Sequence, residues 1–348
     1  MKKSSKTVFV GLSGGVDSSV AAFLLQKEGY NVVGVHIRCF NVDGCAEDDA
    51  EDARRVAETL GIPFYVFDFE KEYKEMVVEY MVAGYKQGIT PNPDVMCNLE
   101  IKFGLFYRRA LRMGADYVAT GHYARTDGAH LLSGLDKEKD QTYFLWRVGA
   151  SQLPHILFPL GGLQKGKVRE IAKKARLHTA TKKDSQGVCF LGEISLPEFL
   201  ATFIPQKKGR VLGADGSVLG SHKGVHNFTI GQRHGLGIGG FASAQYVLQK
   251  DLENNTVVIG GADDERAFRK EIFLIDINEL TAFKNNQAVL VRFRYRQPLI
   301  KARIKKANGH TSIVFDTPQR FIAEGQSAVL YDLKGNKVFG GGIIARTE

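Results

Sequence analysis

The chain has 348 residues, which at about 100–200 residues per domain predicts two or three domains. With 44% hydrophobic and 24% charged residues, disorder, a collagen-like fibre and a coiled coil are excluded as descriptions of the whole chain. Lys+Arg 47 against Asp+Glu 38 leaves +9, which fits a polyanionic partner or a solvated basic surface, and four cysteines are too few for a secreted disulfide scaffold.

The start, MKKSSK, is basic, but the apolar run after it breaks at Ser13, too early for a signal peptide. No stretch of about 20 apolar residues follows anywhere. A cytoplasmic protein is expected. Thr7 to Leu12 reads as a strand and Asp17 to Lys27 as a helix stopped by Gly29. Strands are expected at Asn31–Ile37, Phe64–Phe69 and Tyr117–Thr120, and helices over 47–60, 71–87, 98–113 and 164–175. Alternation with short joints predicts a doubly wound parallel sheet. Ten glycines between Gly209 and Gly240 end the helical periodicity. Alternating strands follow at 288–296, 299–305, 311–315 and 328–332. The expected fold is therefore α/β at the N-terminus (1–204), a small glycine-rich β domain (205–270) and a C-terminal β-barrel or sandwich (271–348).

Gly11-Leu12-Ser13-Gly14-Gly15-Val16-Asp17-Ser18-Ser19 lies between the first strand and the first helix. Glycines there let a backbone approach phosphate, and the helix start offers N–H groups. The loop has no Walker lysine; Asp17 could hold Mg²⁺ or cap the helix. Gly235 to Gly240 matches G-x-G-x-x-G, but a strand-like pattern follows it, so a dinucleotide site is rejected. Cys39 and Cys45 match no zinc spacing. Cys97, in NPDVMCN, follows two prolines, and Asn98 is expected to cap the next helix, which would favour a Cys97 thiolate. Asp94 stands three residues away as a proton donor or acceptor. Cys189, in SQGVCF, follows Lys182 and Lys183, which would also favour a thiolate. Between Lys284 and Arg320 there are nine Lys/Arg and one acidic residue. Arg292, Arg294 and Arg296 are expected on one strand face, and Lys301, Arg303 and Lys305 on the next, as a phosphate-binding surface.

SGGVDSS resembles the signature of the PP-loop ATP pyrophosphatases. With NPDVMCN and SQGVCF, and with ATGHY, KDQTYFL, TIGQR, FRYR and the later PQR and GQ pairs in order, essentially the whole chain resembles the tRNA-specific 2-thiouridylases. That resemblance implies ATP-dependent 2-thiolation of the wobble uridine in tRNAs for Lys, Glu and Gln. The uridine C2 oxygen would be adenylated with Mg²⁺ and ATP, releasing pyrophosphate, and sulfur would come from a persulfide delivered to Cys189 by a donor protein. The terminal sulfur would attack C2 or leave as sulfide, AMP would depart, and Cys97 would attack the persulfide or take a disulfide with Cys189. Asp94 would act as general acid/base. ATP would contact Gly11, Leu12, Ser13, Gly14, Gly15, Val16, Asp17, Ser18, Ile37 and Gly121. RNA would contact Asn92, Pro93, Asp94, His122, Lys139, Asp140, Gln141, Arg294, Tyr295 and Gln326. An amidating or argininosuccinate-type ligase would need neither cysteine. A non-catalytic RNA-binding protein would not need an intact SGGVDSS.

Overall fold

A computed structural model describes residues 6–40, 45–183 and 194–345; of Cys45 and Ala46 only the backbone is described. The first sheet contains β1 (Thr7–Gly11), β2 (Asn31–Arg38), β3 (Phe64–Asp68), β4 (Tyr117–Ala119) and β7 (Ile156–Leu157), in the order β3-β2-β1-β4-β7. Every pairing in it is parallel. A parallel sheet is covered on both faces, so β1 is a continuous apolar run rather than an alternating one. Val8 and Val10 pack with Ala22, Leu25 and Val56 on one side. Phe9 packs with Val35, Phe67 and Phe106 on the other. The chain winds from β1 to β2 in one direction and returns past β1 to β4. Ligands bind at such a reversal, beyond the carboxyl ends of the strands. Here those ends are Gly11 and Ala119.

The second sheet has β8 (Gly209–Leu212), β9 (Val218–His222), β10 (Tyr246–Asp251) and β11 (Thr256–Gly260), in the order β10-β11-β8-β9. Gly235–Gly240 is irregular, with β10 after it and no helix, as expected once a dinucleotide site is rejected. The third sheet has β12 (Phe268–Glu279), β13 (Ala288–Arg292), β14 (Ile300–Ala307), β15 (His310–Arg320), β16 (Ser327–Tyr331) and β17 (Lys337–Ile344). They run β12-β15-β14-β13-β16-β17 and close through a β12–β17 pairing, making an antiparallel barrel. The hairpin β5 (Ala124–Thr126) and β6 (Leu131–Ser133) leaves the N-terminal region and adds to β17. Trp146, fully buried, donates its indole N–H to Ser327 Oγ at 3.0 Å across the same seam. No helix among the described residues is long and apolar enough to cross a membrane.

Two sequence expectations change here. The helix expected from Asn98 begins at Pro93, because Asn92 is the cap: its Oδ1 accepts the Val95 N–H at 3.3 Å, with Pro93 at the first helical position. The run continues through the wide π-type segment Cys97–Phe106 to Arg112. Cys97 thus lies one turn inside the helix, not before its start. Strand β13 stops at Arg292, and Arg296 turns with φ 62°. Arg292, Arg294 and Arg296 therefore do not share a strand face. On β14, Lys301, Arg303 and Lys305 do alternate outward.

Candidate active site

The loop after β1 curls tightly. Gly14 has φ 70°, and a Cβ there would lie 2.5 Å from the Asp49 carbonyl oxygen. Ser18 Oγ accepts the Ser13 N–H at 3.1 Å and donates to the Gly15 carbonyl at 3.2 Å. Ser19 Oγ also donates to that carbonyl, at 2.7 Å. No side chain caps the helix Val16–Lys27. Its first-turn N–H groups and the glycine backbone form the concavity that suits a phosphate. Gly121, at the end of β4, touches this helix start: a Cβ would meet the Ser18 nitrogen at 2.7 Å. Gly11 lies beside Ile37 and Phe106. Beneath the loop the buried His36 ring contacts the Leu12 carbonyl at 3.1 Å through Nδ1, and burial lowers its pKa, keeping the ring neutral.

Asp17 neither caps the helix nor stands open. Lys165 Nζ lies 2.8 Å and 2.7 Å from its two carboxylate oxygens, and the Tyr123 hydroxyl donates to Oδ1 at 2.8 Å. Sequence reading missed both partners. Lys165 is more than a hundred residues away, and nothing local marks it. Gly14 also leans on the segment that carries Asp49. Lys182 Nζ binds Asp49 at 2.8 Å and Asp52 at 2.6 Å, and His178 Nε2 lies 3.2 Å from Asp52. Lys182 is thereby paired with two carboxylates. Cys189 itself lies outside the described residues, and with it the Cys97–Cys189 disulfide that the resemblance implies.

A cavity of about 210 Å³ is lined by Met81, Tyr85, Thr90, Pro91, Asn92, Pro93, Asp94, Tyr143, Phe144, Tyr295 and Gln326. It is smaller than the clefts of roughly 300–1,000 Å³ that take drug-sized ligands, and its size suits one flat ring. Rings wall it: Phe144 and Tyr295 have centroids 4.5 Å apart, and Tyr143 and Phe144 5.3 Å. The buried Tyr143 hydroxyl reaches the Ser327 carbonyl at 3.2 Å and Gln326 Oε1 at 3.4 Å. Burial raises its pKa, so the phenol stays protonated. Gln326 Nε2 in turn donates to the Thr90 carbonyl at 2.8 Å, which fixes the amide. Burial also raises the Asp94 carboxyl above its ordinary range, opposed in part by Lys102. A carboxyl that can hold a proton beside an aromatic slot is a group able to give and take one. Cys97 is buried one turn further along the same helical run.

The structure thus brings together Asn92, Pro93, Asp94, Tyr295 and Gln326 at one cavity, and Gly11 to Ser18 with Gly121 at the loop. Other expected RNA contacts are turned inward. His122 is buried, with Nδ1 2.8 Å from Thr120 Oγ1 and its ring between Phe103 and Phe158. Burial holds its pKa well below the usual histidine range. Asp140 is buried; it accepts the Gly134 and Thr142 N–H groups and lies 3.6 Å from Arg292. Gln141 Oε1 accepts the Tyr123 N–H at 3.0 Å. Arg294 donates to the carbonyls of Ile230 and Phe321, tying the second sheet's region to the barrel. For His122, Asp140, Gln141 and Arg294 these internal partners hold the side chain within the fold. Lys139 is half-exposed. Among the described residues no cluster of three His, Cys, Asp or Glu could hold a metal ion.

Three family models match in order: "tRNA methyl transferase HUP domain" over residues 6–193, "tRNA methyl transferase PRC-barrel domain" over 197–261, and "Aminomethyltransferase beta-barrel domain" over 269–344. The chain is 47% identical over 358 residues to the tRNA-specific 2-thiouridylase MnmA of Shouchella clausii, covering 99% of this chain and 98% of that protein. It is 45% identical to the protein of the same name from Lysinibacillus sphaericus, covering 97% and 93%. It is 46% identical to the one from Streptococcus mutans, covering 99% and 96%.

Proposed function

The chain belongs to the MnmA family of tRNA-specific 2-thiouridylases, and we propose that it converts the wobble uridine of tRNA to 2-thiouridine at the expense of ATP. The observation that carries this reading is the aromatic cavity bounded by Asn92, Pro93 and Asp94, one helical turn from Cys97. Chemistry at C2 requires the base to leave its stack, and a slot for one ring beside a proton-carrying carboxyl meets that need. A methyl transferase, the word in two of the domain descriptions, has no use for a pyrophosphatase loop.

The C2 oxygen is a poor leaving group. It attacks the α-phosphorus of ATP at the Ser13–Ser18 loop, pyrophosphate leaves, and C2 then carries AMP. Attack makes the N3 proton acidic, and Asp94 is the group that takes it. The terminal sulfur of a Cys189 persulfide attacks C2 and AMP leaves with the C–O electron pair. Cys97 as thiolate then attacks Cys189 Sγ, forming a Cys97–Cys189 disulfide and releasing the thiolated base, which regains its N3 proton. A thiol reductant closes the cycle. The persulfide comes from a separate donor protein. Mg²⁺ would be held mainly by the ATP phosphates and would offset their charge, since Asp17, the loop's carboxylate, is already paired with Lys165. Lys139 and the exposed Lys301 and Arg303 face the RNA. A cytoplasmic location follows from the tRNA substrate. Substituting Cys189→Ser tests the sulfur path: thiolation supported by a persulfide donor is lost while tRNA affinity stays within about twofold. A variant with full donor-dependent activity would remove Cys189 from the mechanism.

A further inference from the structure

The SGGVDSS loop contains no lysine, yet a lysine stands beside it. Lys165 is the first residue of the helix Lys165–Lys174, and its Nζ lies within 2.8 Å of both Asp17 oxygens. Asp17 is in the first turn of the helix that the loop opens, and Tyr123 pins its Oδ1 at 2.8 Å. A basic residue at the start of a helix opposes the macrodipole, and the helix's own first turn has no acidic residue. The Lys165 side chain is only 13% exposed.

The placement is built from several sides. The Lys165 backbone N–H donates to the carboxylate of the buried Asp136 at 2.9 Å, fixing where the helix begins. Val168 and Ala172 of this helix pack against Val16, Val20 and Tyr123. Local propensity gives no reason for a half-buried lysine here. Charge gives one: a polyphosphate bound at the loop carries several negative charges, and a bare Asp17 carboxylate would repel it.

We propose that Lys165 is the phosphate-binding cation of this site, supplied from a distant helix and held at the loop by Asp17, where it takes the phosphate oxygens of ATP that leave as pyrophosphate. This inference rests on the ATP-dependent reading above. As the α-phosphorus is attacked, its bond to the bridging oxygen breaks and that electron pair departs on pyrophosphate. The ammonium stabilises the developing charge and keeps its proton.

The test is calorimetric binding of inorganic pyrophosphate to the full chain in EDTA, so that metal ligation plays no part. Four proteins are compared: wild type, Lys165→Met, Asp17→Asn and the double variant. The expected result is a loss of about tenfold or more for Lys165→Met against wild type, and again for the double variant against Asp17→Asn. The double variant carries neither charge of the pair, so it remains informative even where Lys165→Met alone folds poorly. A double variant that binds like Asp17→Asn overturns the proposal, since Lys165 would then only neutralise Asp17. The steady-state KM for ATP gives a second readout: it rises in Lys165→Met and recovers in part in Lys165→Arg. Unchanged pyrophosphate affinity in Lys165→Met with thiolation intact sinks the lysine and spares the thiolation reading. Lost pyrophosphate affinity in a protein whose wild type forms no 2-thiouridine does the reverse.

Discussion

Asp94 and Arg294 show how a side chain's role depends on where its neighbours leave it. Burial raises the Asp94 pKa, so the proton is held to a higher pH than on an ordinary aspartate. As a base for N3, Asp94 works only when ionised. The rate should therefore rise with pH through a limb above the usual carboxylate range. Asp94→Asn is expected to lower kcat by about 10²–10⁴-fold and to erase that limb. A pH–rate profile of the variant with the limb still present would assign it to another group. Arg294 was legible in the sequence as a basic residue but not as a clamp, because the carbonyls it holds, at Ile230 and Phe321, belong to distant segments. Arg294→Ala should cost about 1.5–3 kcal/mol in denaturant unfolding. The salt slope of its tRNA binding should barely change; a slope lowered by about 0.9 would instead show that Arg294 neutralises a phosphate.

At the scale of elements, strands and helices that obey a simple period were readable. Thr7–Gly11, Asn31–Arg38 and Val16–Lys27 fall where the apolar spacing puts them. The Cys97 helix was misjudged because both Asn92 and Asn98 are plausible caps, and only the chain path decides that Asn92-Pro93 starts the helix. Asn92→Ala should cost about 1 kcal/mol through loss of the cap. It should also impair thiolation, since Asp94 rides on the turn that the cap fixes; Asn92→Asp should keep most of the stability. Strand β13 was overextended because Phe293 and Tyr295 continue its alternation in sequence while the chain turns to bring Tyr295 to the cavity wall. The alternation on β14 was correct, and its exposed Lys301 and Arg303 form the basic face. Replacing both with alanine should reduce the salt slope of tRNA binding by about 0.9 for each phosphate left without its cation, with tRNA affinity measured across a salt series.

On the scale of the whole molecule, the cavity has walls from regions that never meet in sequence. Thr90 to Asp94 come from the α/β part, Tyr143 and Phe144 from the segment after the β5–β6 hairpin, and Tyr295 and Gln326 from the barrel. Motif reading identified the residue sets but not their convergence, because a linear sequence carries no record of which distant segments touch. Asp140 and Arg292 join the hairpin's following segment to β13, buried and 3.6 Å apart. Removing one partner of a buried pair costs about 3–5 kcal/mol, and this long separation places Arg292→Met toward the lower end. Thermal unfolding should show the loss, and base-pocket activity should fall with it.

The central claim is ATP-dependent sulfur transfer to uridine. Its most direct test is nucleoside mass spectrometry after incubation of the protein with unmodified tRNA bearing a wobble uridine, ATP, Mg²⁺ and a sulfide or persulfide source. A 2-thiouridine peak that requires ATP, with AMP released alongside it, is the expected result. Unmodified uridine together with AMP and pyrophosphate formed on a small metabolite would contradict it and make the chain a ligase.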